Sequence, residues 1–238
     1  MPQSKHGDSI VILTGAGISA ESGVPTFRDA DGLWEGHRIE DVATPEAFDR
    51  DPELVLHFYN LRRAALATVE PNAAHLALAR LQREHPGKFT LITQNVDDLH
   101  ERAGSENVIH MHGSLLKALC NYCRTRCDWT GGMGTADVCA TCGESGTLRP
   151  DIVWFGEMPH HLDRIEIALT QADLFVAIGT SGHVYPAAGF VSSARYHGAE
   201  TLEINNTGTA ISEQFQKHRT GPATVEVPKW VEEVLGGN

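Results

Sequence analysis

The chain has no apolar run approaching the roughly 18 residues needed to cross a bilayer, and its first eight residues, MPQSKHGD, lack the apolar core of a signal peptide. Both absences predict a soluble, cytoplasmic protein with no membrane partner. Positive charge is also scarce: 19 Lys and Arg stand against 31 Asp and Glu, a net charge of −12. Such an acidic surface argues against direct nucleic-acid binding and favours basic protein partners. Repeats, low-complexity runs and long linkers are missing as well. The 238 residues are therefore expected to act as one unit with an ample core, spanning 1–238. Cysteine is absent outside one short segment, and all five lie between Cys120 and Cys142.

Within that segment the spacing is informative. Cys120-x-x-Cys123 and Cys139-x-x-Cys142, with fifteen residues between the pairs, match a four-thiolate zinc ribbon. A disulfide pairing is the alternative, disfavoured in a chain without an export signal. Cys127 is left over. It could replace one ligand, but paired knuckles chelate best, so a free thiol is expected.

A second concentration of signal follows the run Ser9–Thr14. Ile10 to Leu13 has the continuous β-branched character of a strand buried on both faces, and GAGISAESGVPTFR continues it from Gly15 to Arg28. Gly15-x-Gly17-x-x-Ala20 suits a strand-to-helix turn that holds a dinucleotide. Gly15 is expected to take a φ forbidden to other residues, and Gly17 to let backbone N–H groups approach a pyrophosphate. Glycine pairs also close ordinary turns. A dehydrogenase would further need a full helix, a second strand and an acidic residue about 20 positions on. Here the helix must end near Ser22-Gly23, ahead of Val24 to Arg28, so a dinucleotide would be held differently.

Together with Gln94-Asn95-Val96-Asp97 and His112-Gly113, this stretch resembles the sirtuin family of NAD-dependent protein-lysine deacylases, and the resemblance runs almost to the C-terminus. The resemblance implies that Gly15, Ala16, Gly17, Phe27, Arg28 and Gln94 contact NAD. It also implies that Asn95 holds the nicotinamide ribose and reacting water, and that Asp97 bonds the nicotinamide carboxamide. Asp97 could instead cap a helix from Asp98 to Ala103. Gly179, Thr180 and Ser181 end a buried strand and could meet ribose and phosphate oxygens. Asn205 ends another, where it could accept the adenosine ribose; Asn206, Thr207 and Ala223 would border that end. The zinc would be structural, since four thiolates leave no open position.

Two histidines compete for the role of base. A strand over Val108–Gly113 would put His110 and His112 on one face, with His112 at its end, where a ring can reach a cleft. The resemblance selects His112 as the base that takes a ribose hydroxyl proton. His75, on a helix over 72–85 whose buried face carries Leu76, Ala79 and Leu81, is expected to be packed or solvated rather than a ligand.

For the substrate, Pro52 to Val69 has helical periodicity and sets Tyr59 and Arg62 three residues apart on one face, where phenol and guanidinium could grip a carboxylate. A pair so spaced is also common on helix surfaces. Its place resembles the YxxR motif of sirtuins that remove succinyl, malonyl or glutaryl groups, which implies acidic-acyl selectivity. The stretch Leu148–Glu157 resembles the sirtuin PxxVxFGE segment, in which Val153, Trp154 and Phe155 would line the acyl-lysine channel and pair with the substrate backbone.

The expected fold is α/β, a doubly wound, mostly parallel Rossmann-like sheet over 1–34, 69–114 and 151–238, with a helical module near 35–68 and a zinc-ribbon insert near 115–150. The implied reaction consumes NAD: the acyl oxygen of an acylated lysine in a protein substrate attacks the ribose carbon bearing nicotinamide, and the acyl group ends on ADP-ribose. Three alternatives stand beside it. A hydride-transferring dehydrogenase leaves Gln94–Asp97 unexplained, a non-catalytic zinc-ribbon module leaves the nucleotide motifs unexplained, and a protein ADP-ribosyltransferase would share the cleavage of NAD.

Overall fold

Strand β1 (Ser9–Thr14) is buried at every position, as an unalternating SIVILT run must be when both faces of its sheet are covered. The computed structural model of the chain describes residues 8–26 and 36–236. Phe27 and Arg28 lie outside the described residues. The next strands are β2 (Lys88–Thr93) and β3 (Ile109–His110). Then come β4 (Gly113–Cys120), β5 (Arg126–Asp128) and β6 (Leu148–Ile152). The last are β7 (Leu174–Ile178), β8 (Glu200–Asn205) and β9 (Lys217–Thr220).

Six of these form a parallel sheet in the order β3-β2-β1-β7-β8-β9. Renumbered among themselves they run 3-2-1-4-5-6, the doubly wound order, whose direction reverses between β1 and β7. In doubly wound sheets the crevice beyond the strand C-termini at such a reversal is where ligands bind. The remaining three form an antiparallel sheet, β5-β4-β6.

The helices are α1 (Ile39–Val42), α2 (Pro45–Arg50), α3 (Pro52–Leu66) and α4 (Ala73–Glu84), then α5 (Leu99–Arg102), α6 (Leu162–Thr170), α7 (Phe190–Tyr196) and α8 (Ala223–Gly236). Side chains of Thr44 and Asp51 cap α2 and α3, and each helix has proline in its first turn, where the missing N–H costs nothing. Alternate residues of β1 feed opposite cores. Ile10 and Ile12 pack with Leu78 and Leu81 of α4 and Val227 and Trp230 of α8; Val11 and Leu13 face Ile165 and Leu169 of α6 and Val191 of α7.

A third core joins what had been expected as two modules. Phe48, Phe58 and Tyr59 from α2 and α3 pack with Leu115, Ala118, Ile152 and Trp154 around the antiparallel sheet. The buried Arg63 donates from Nε to the Leu115 carbonyl at 2.7 Å, and Asn60 exchanges two hydrogen bonds with the Met133 backbone at 2.8 and 2.9 Å. The helical module and cysteine-rich insert are thus one small domain.

Several boundaries differ from expectation for local reasons. Helix α3 stops at Leu66 rather than Val69, because Ala67, Thr68 and Val69 finish it with i→i−3 bonds. Leu76 is 54% exposed, since a 3.6-residue period puts Ala74, Leu78 and Leu81 inward and position 76 outward. Past Pro186, before which helical conformation is disfavoured, a tight turn at Ala187–Gly189 leads into α7. Helix α8 starts at Ala223 and carries Pro228 within it. The strand expected over Val108–Gly113 ends at His110, and Met111 and His112 turn the chain from the large sheet into the small one. Gly113, at φ +83°, permits that turn: a Cβ there would lie 1.9 Å from the Asp151 carbonyl oxygen. No helix among the described residues is long and apolar enough to cross a membrane.

Candidate active site

Thr14 and Ile178 end side by side at the reversal point, and the chain beyond them meets itself backbone to backbone. The Gly15 N–H donates to the Ile178 carbonyl at 3.0 Å and the Gly17 N–H to the Gly179 carbonyl at 2.9 Å. The expectation for Gly15 is corrected here. Gly15 adopts φ −127°, ψ −174°, an extended conformation open to any residue. The Gly17 N–H is already spent on Gly179. The glycines are needed for proximity instead, since a Cβ on Gly15 would lie 2.8 Å from the Gly179 oxygen and one on Gly17 2.7 Å from the Gly179 Cα.

Below this loop lies a buried polar network whose proton directions can be derived. The Asn72 N–H faces His75 Nδ1 at 3.3 Å, so that nitrogen carries the lone pair and Nε2–H donates to Ser19 Oγ at 3.3 Å. Ser19 also accepts from Asn95 Nδ2 at 3.1 Å and passes its own proton to Asp97 Oδ2 at 3.1 Å. The other Asp97 oxygen accepts the Leu99 N–H at 3.2 Å, at the first residue of α5, whose N-cap position is Asp98. Burial raises the Asp97 pKa against these two bonds, and burial pushes His75 down to about 4, fixing it neutral. Alongside, Thr14 donates to Thr93 at 2.9 Å and meets His100 Nε2 at 2.9 Å.

His110 and His112 separate by their partners. Each presents Nδ1 to a backbone carbonyl, Asn95 at 3.2 Å and Gln94 at 3.1 Å respectively. A carbonyl only accepts, so both Nδ1 atoms carry hydrogen. His110 Nε2 meets the Glu101 carboxylate at 2.7 Å. Burial opposes its charge, but that carboxylate prevails and the His110 pKa is raised. Among the described residues no carboxylate faces His112; burial lowers its pKa, with the Gln94 carbonyl opposing and His160 assisting. It is therefore neutral near pH 7, with a basic Nε2 lone pair, and stands on the turn joining the two domains.

On the small-domain side, Tyr59 and Arg62 share one face of α3. The Tyr59 ring is fully enclosed, and its oxygen accepts from Trp154 Nε1 at 2.9 Å. Burial raises its phenol pKa and keeps it protonated. Arg62 is half-buried, its guanidinium 5.7 Å from the Phe58 ring centroid. Trp154 was expected along the channel with Val153 and Phe155, but its indole is 2% exposed and faces the core. Backbone N–H groups across this stretch are engaged: Val153 with the His112 carbonyl at 2.9 Å, Trp154 with Glu157 Oε2 at 2.9 Å, and Phe155 with the Ala43 carbonyl at 3.0 Å.

At the other end of the crevice, Asn205 Nδ2 donates to the Thr180 carbonyl at 2.7 Å and Asn205 Oδ1 accepts from the Asn206 N–H at 3.0 Å, tying β7 to β8. Gly179 and the buried Thr180 lie beside this bridge, with Ser181, Asn206 and Thr207 exposed and Ala223 buried at the start of α8. Glu21, just after the glycine loop, accepts from both Thr224 N and Thr224 Oγ1, so α8 and the loop are joined.

The Sγ atoms of Cys120, Cys123, Cys139 and Cys142 all lie within 4.8 Å of one another, with Cys120–Cys142 at 3.8 Å and Cys123–Cys139 at 3.7 Å. Tetrahedral zinc with 2.3 Å bonds requires sulfur separations of about 3.8 Å, so these thiols fit zinc. Cys127 is exposed on β5 and outside the cluster.

Sequence reasoning missed Ser19, Thr14, Thr93 and His100. Ser19 sits inside the glycine motif, where a hydroxyl has the look of a helix cap, and only the fold shows it at the centre of the network.

The match to known proteins covers the same residues. The model of the Sir2 family matches residues 15–186. The NAD-dependent protein deacylase of Shigella flexneri is 56% identical over all of this chain and 88% of its own; that of Vibrio parahaemolyticus is 59% identical over 95% of each. Among solved structures, a Sir2 homologue bound to ADP-ribose is 41% identical, with a TM-score of 0.89 over 97% of this chain and 93% of that one. A Sir2 homologue in complex with NAD is 42% identical, with a TM-score of 0.88 over 97% and 90%. A crevice at the doubly wound reversal point, a four-cysteine cluster in a small second domain and a match along most of its length together establish that the chain belongs to the Sir2 family.

Proposed function

We propose that this chain is an NAD-dependent protein-lysine deacylase that acts on acidic as well as acetyl groups. The observation that carries the reading is His112, neutral, with Nδ1–H held by the Gln94 carbonyl and Nε2 basic, at the junction of the two domains. The buried Asn95–Ser19–Asp97 network beside it, at the strand ends of a glycine-lined crevice, suits the nicotinamide end of NAD. Relatives named NAD-dependent protein deacylase and Sir2 homologues bound to NAD and ADP-ribose support it, and a Sir2–p53 peptide–NAD complex supports a protein substrate.

In this reading NAD is a co-substrate, supplying the ribose carbon from which nicotinamide departs. Asn95 orients that ribose and Asp97 holds the carboxamide. His112 Nε2 takes the ribose hydroxyl proton as the acyl group moves onto ADP-ribose. Gly15, Ala16, Gly17, Gln94, Gly179, Thr180 and Ser181 surround the nucleotide, and Asn205, Asn206, Thr207 and Ala223 border its adenosine end. Zinc on Cys120, Cys123, Cys139 and Cys142 would cross-link the small domain, with no ligand position left for chemistry.

Arg62, with the Tyr59 phenol one helical turn before it, supplies the donors for an acyl carboxylate. Mass spectrometry of one lysine peptide in acetyl and succinyl forms, each incubated with enzyme and NAD, tests both levels. Faster loss of succinyl, abolished by Arg62→Met, is expected. Faster loss of acetyl, unaffected by Arg62→Met, removes the acidic-acyl reading and leaves the deacylase; no NAD-dependent loss of either removes both.

A further inference from the structure

Trp154 is held at its ring, its edge and its backbone. The Arg149 guanidinium stands 4.0 Å from the indole centroid and is itself only 5% exposed. Its NH2 donates to both Glu157 oxygens, at 2.9 and 2.8 Å, and Glu157 Oε2 also accepts the Trp154 N–H at 2.9 Å. The Glu157 N–H returns to the Trp154 carbonyl at 3.0 Å, closing a four-residue turn in which Gly156 takes φ +90°. Phe48 packs on the indole at 5.3 Å between centroids, and Nε1–H donates to Tyr59 Oη.

This arrangement has a chemical consequence for Tyr59. A phenol oxygen has one hydrogen to give, and an indole N–H can only donate. With Trp154 on its lone pair, the Tyr59 proton must point away from Trp154. The Arg62 charge lies near enough to act on the same phenol. Arg149 and Glu157 neutralise each other out of water, and stacking of a planar guanidinium on indole fixes the ring plane as well as its position.

We propose that Arg149, Glu157 and Trp154 form a brace that aims the Tyr59 hydroxyl and so sets selectivity for acidic acyl groups. All three are positioning residues; Trp154 acts through Tyr59 and does not touch substrate. The inference rests on the acidic-acyl reading above. Trp154→Phe keeps an aromatic ring but removes the indole N–H that Tyr59 accepts, and Arg149→Lys keeps the charge but loses the fork and the planar stack.

The test is the ratio of kcat/KM for succinyl-lysine over acetyl-lysine peptide, measured for the wild type, Trp154→Phe, Tyr59→Phe, the double variant and Arg149→Lys. Trp154→Phe should lower the ratio about tenfold, the worth of one hydrogen bond to a charged group. Tyr59→Phe should lower it at least as much, and the double variant no further than Tyr59→Phe, because Trp154 acts only through the hydroxyl that Tyr59→Phe removes. Arg149→Lys should lower it about threefold and reads the same ratio should Trp154→Phe fail to fold. An unchanged ratio with both activities reduced alike makes the brace mere packing and overturns the inference, as do single effects that multiply in the double variant. A wild type with no succinyl preference overturns the acidic-acyl reading and this inference with it.

Discussion

Replacing Gly17 with alanine probes the contact on which the nucleotide loop is built. The new Cβ would stand 2.7 Å from the Gly179 Cα, 2.9 Å from its oxygen and 3.1 Å from its carbonyl carbon, all backbone atoms with no side chain to swing aside. Ordinary carbon contacts sit at about 3.5–4.0 Å, so the ends of β1 and β7 must part by roughly half an ångström or more. Overpacking of this kind costs about 1–3 kcal/mol, and weakening the 2.9 Å bond from Gly17 N to Gly179 O adds about 1 kcal/mol. At about 2–4 °C per kcal/mol for a chain of this size, Gly17→Ala should melt about 5–15 °C lower. Its KM for NAD should rise more than its KM for peptide. Gly131→Ala, with nothing within 4 Å of its added Cβ, is the control and should stay within about 0.5 kcal/mol of the wild type. Thermal unfolding followed by circular dichroism, with and without NAD, decides the matter. A Gly17→Ala protein that melts with the wild type and keeps its NAD KM would refute the close-approach argument.

Two further predictions concern the base and the metal. Burial lowers the His112 pKa, and the neutral ring is the active base, so the acid limb of kcat/KM should fall below pH 6.5, the ordinary histidine value; a limb at or above 6.5 would contradict the burial argument. Elemental analysis should find one zinc per chain, retained by Cys127→Ser and lost by Cys139→Ser, whose loss should also expand the core that Cys139 shares with Tyr59 and Trp154. Zinc lost from Cys127→Ser would assign that thiol to the ligand set.

What was legible in the sequence followed from local rules. Strands buried on both faces announce themselves as unbroken apolar runs, which is why β1 and β7 were visible while β9, a polar Lys-His-Arg-Thr edge strand, was not. Paired CxxC knuckles identify four ligands because chelation depends on short spacing. His112 was visible through its motif, but its position on a turn was not, since alternation continues through Met111 while the chain leaves the sheet. Contacts between distant segments left no local trace. The merger of helical and cysteine-rich modules depends on Asn60 and Arg63 reaching Met133 and Leu115. The inward turn of Trp154 depends on Arg149, Glu157 and Tyr59, and the two glycines of the loop owe their place to a third, Gly179, more than 160 residues away.

The most direct test of the deacylase mechanism is to count nicotinamide and deacylated lysine together for the wild type and His112→Ala. The account predicts one nicotinamide released per lysine freed by the wild type. It predicts a turnover at least about 100-fold lower in His112→Ala, with melting temperature and zinc content retained. Deacylation without nicotinamide release, or a folded, zinc-loaded His112→Ala protein with full turnover, would contradict it.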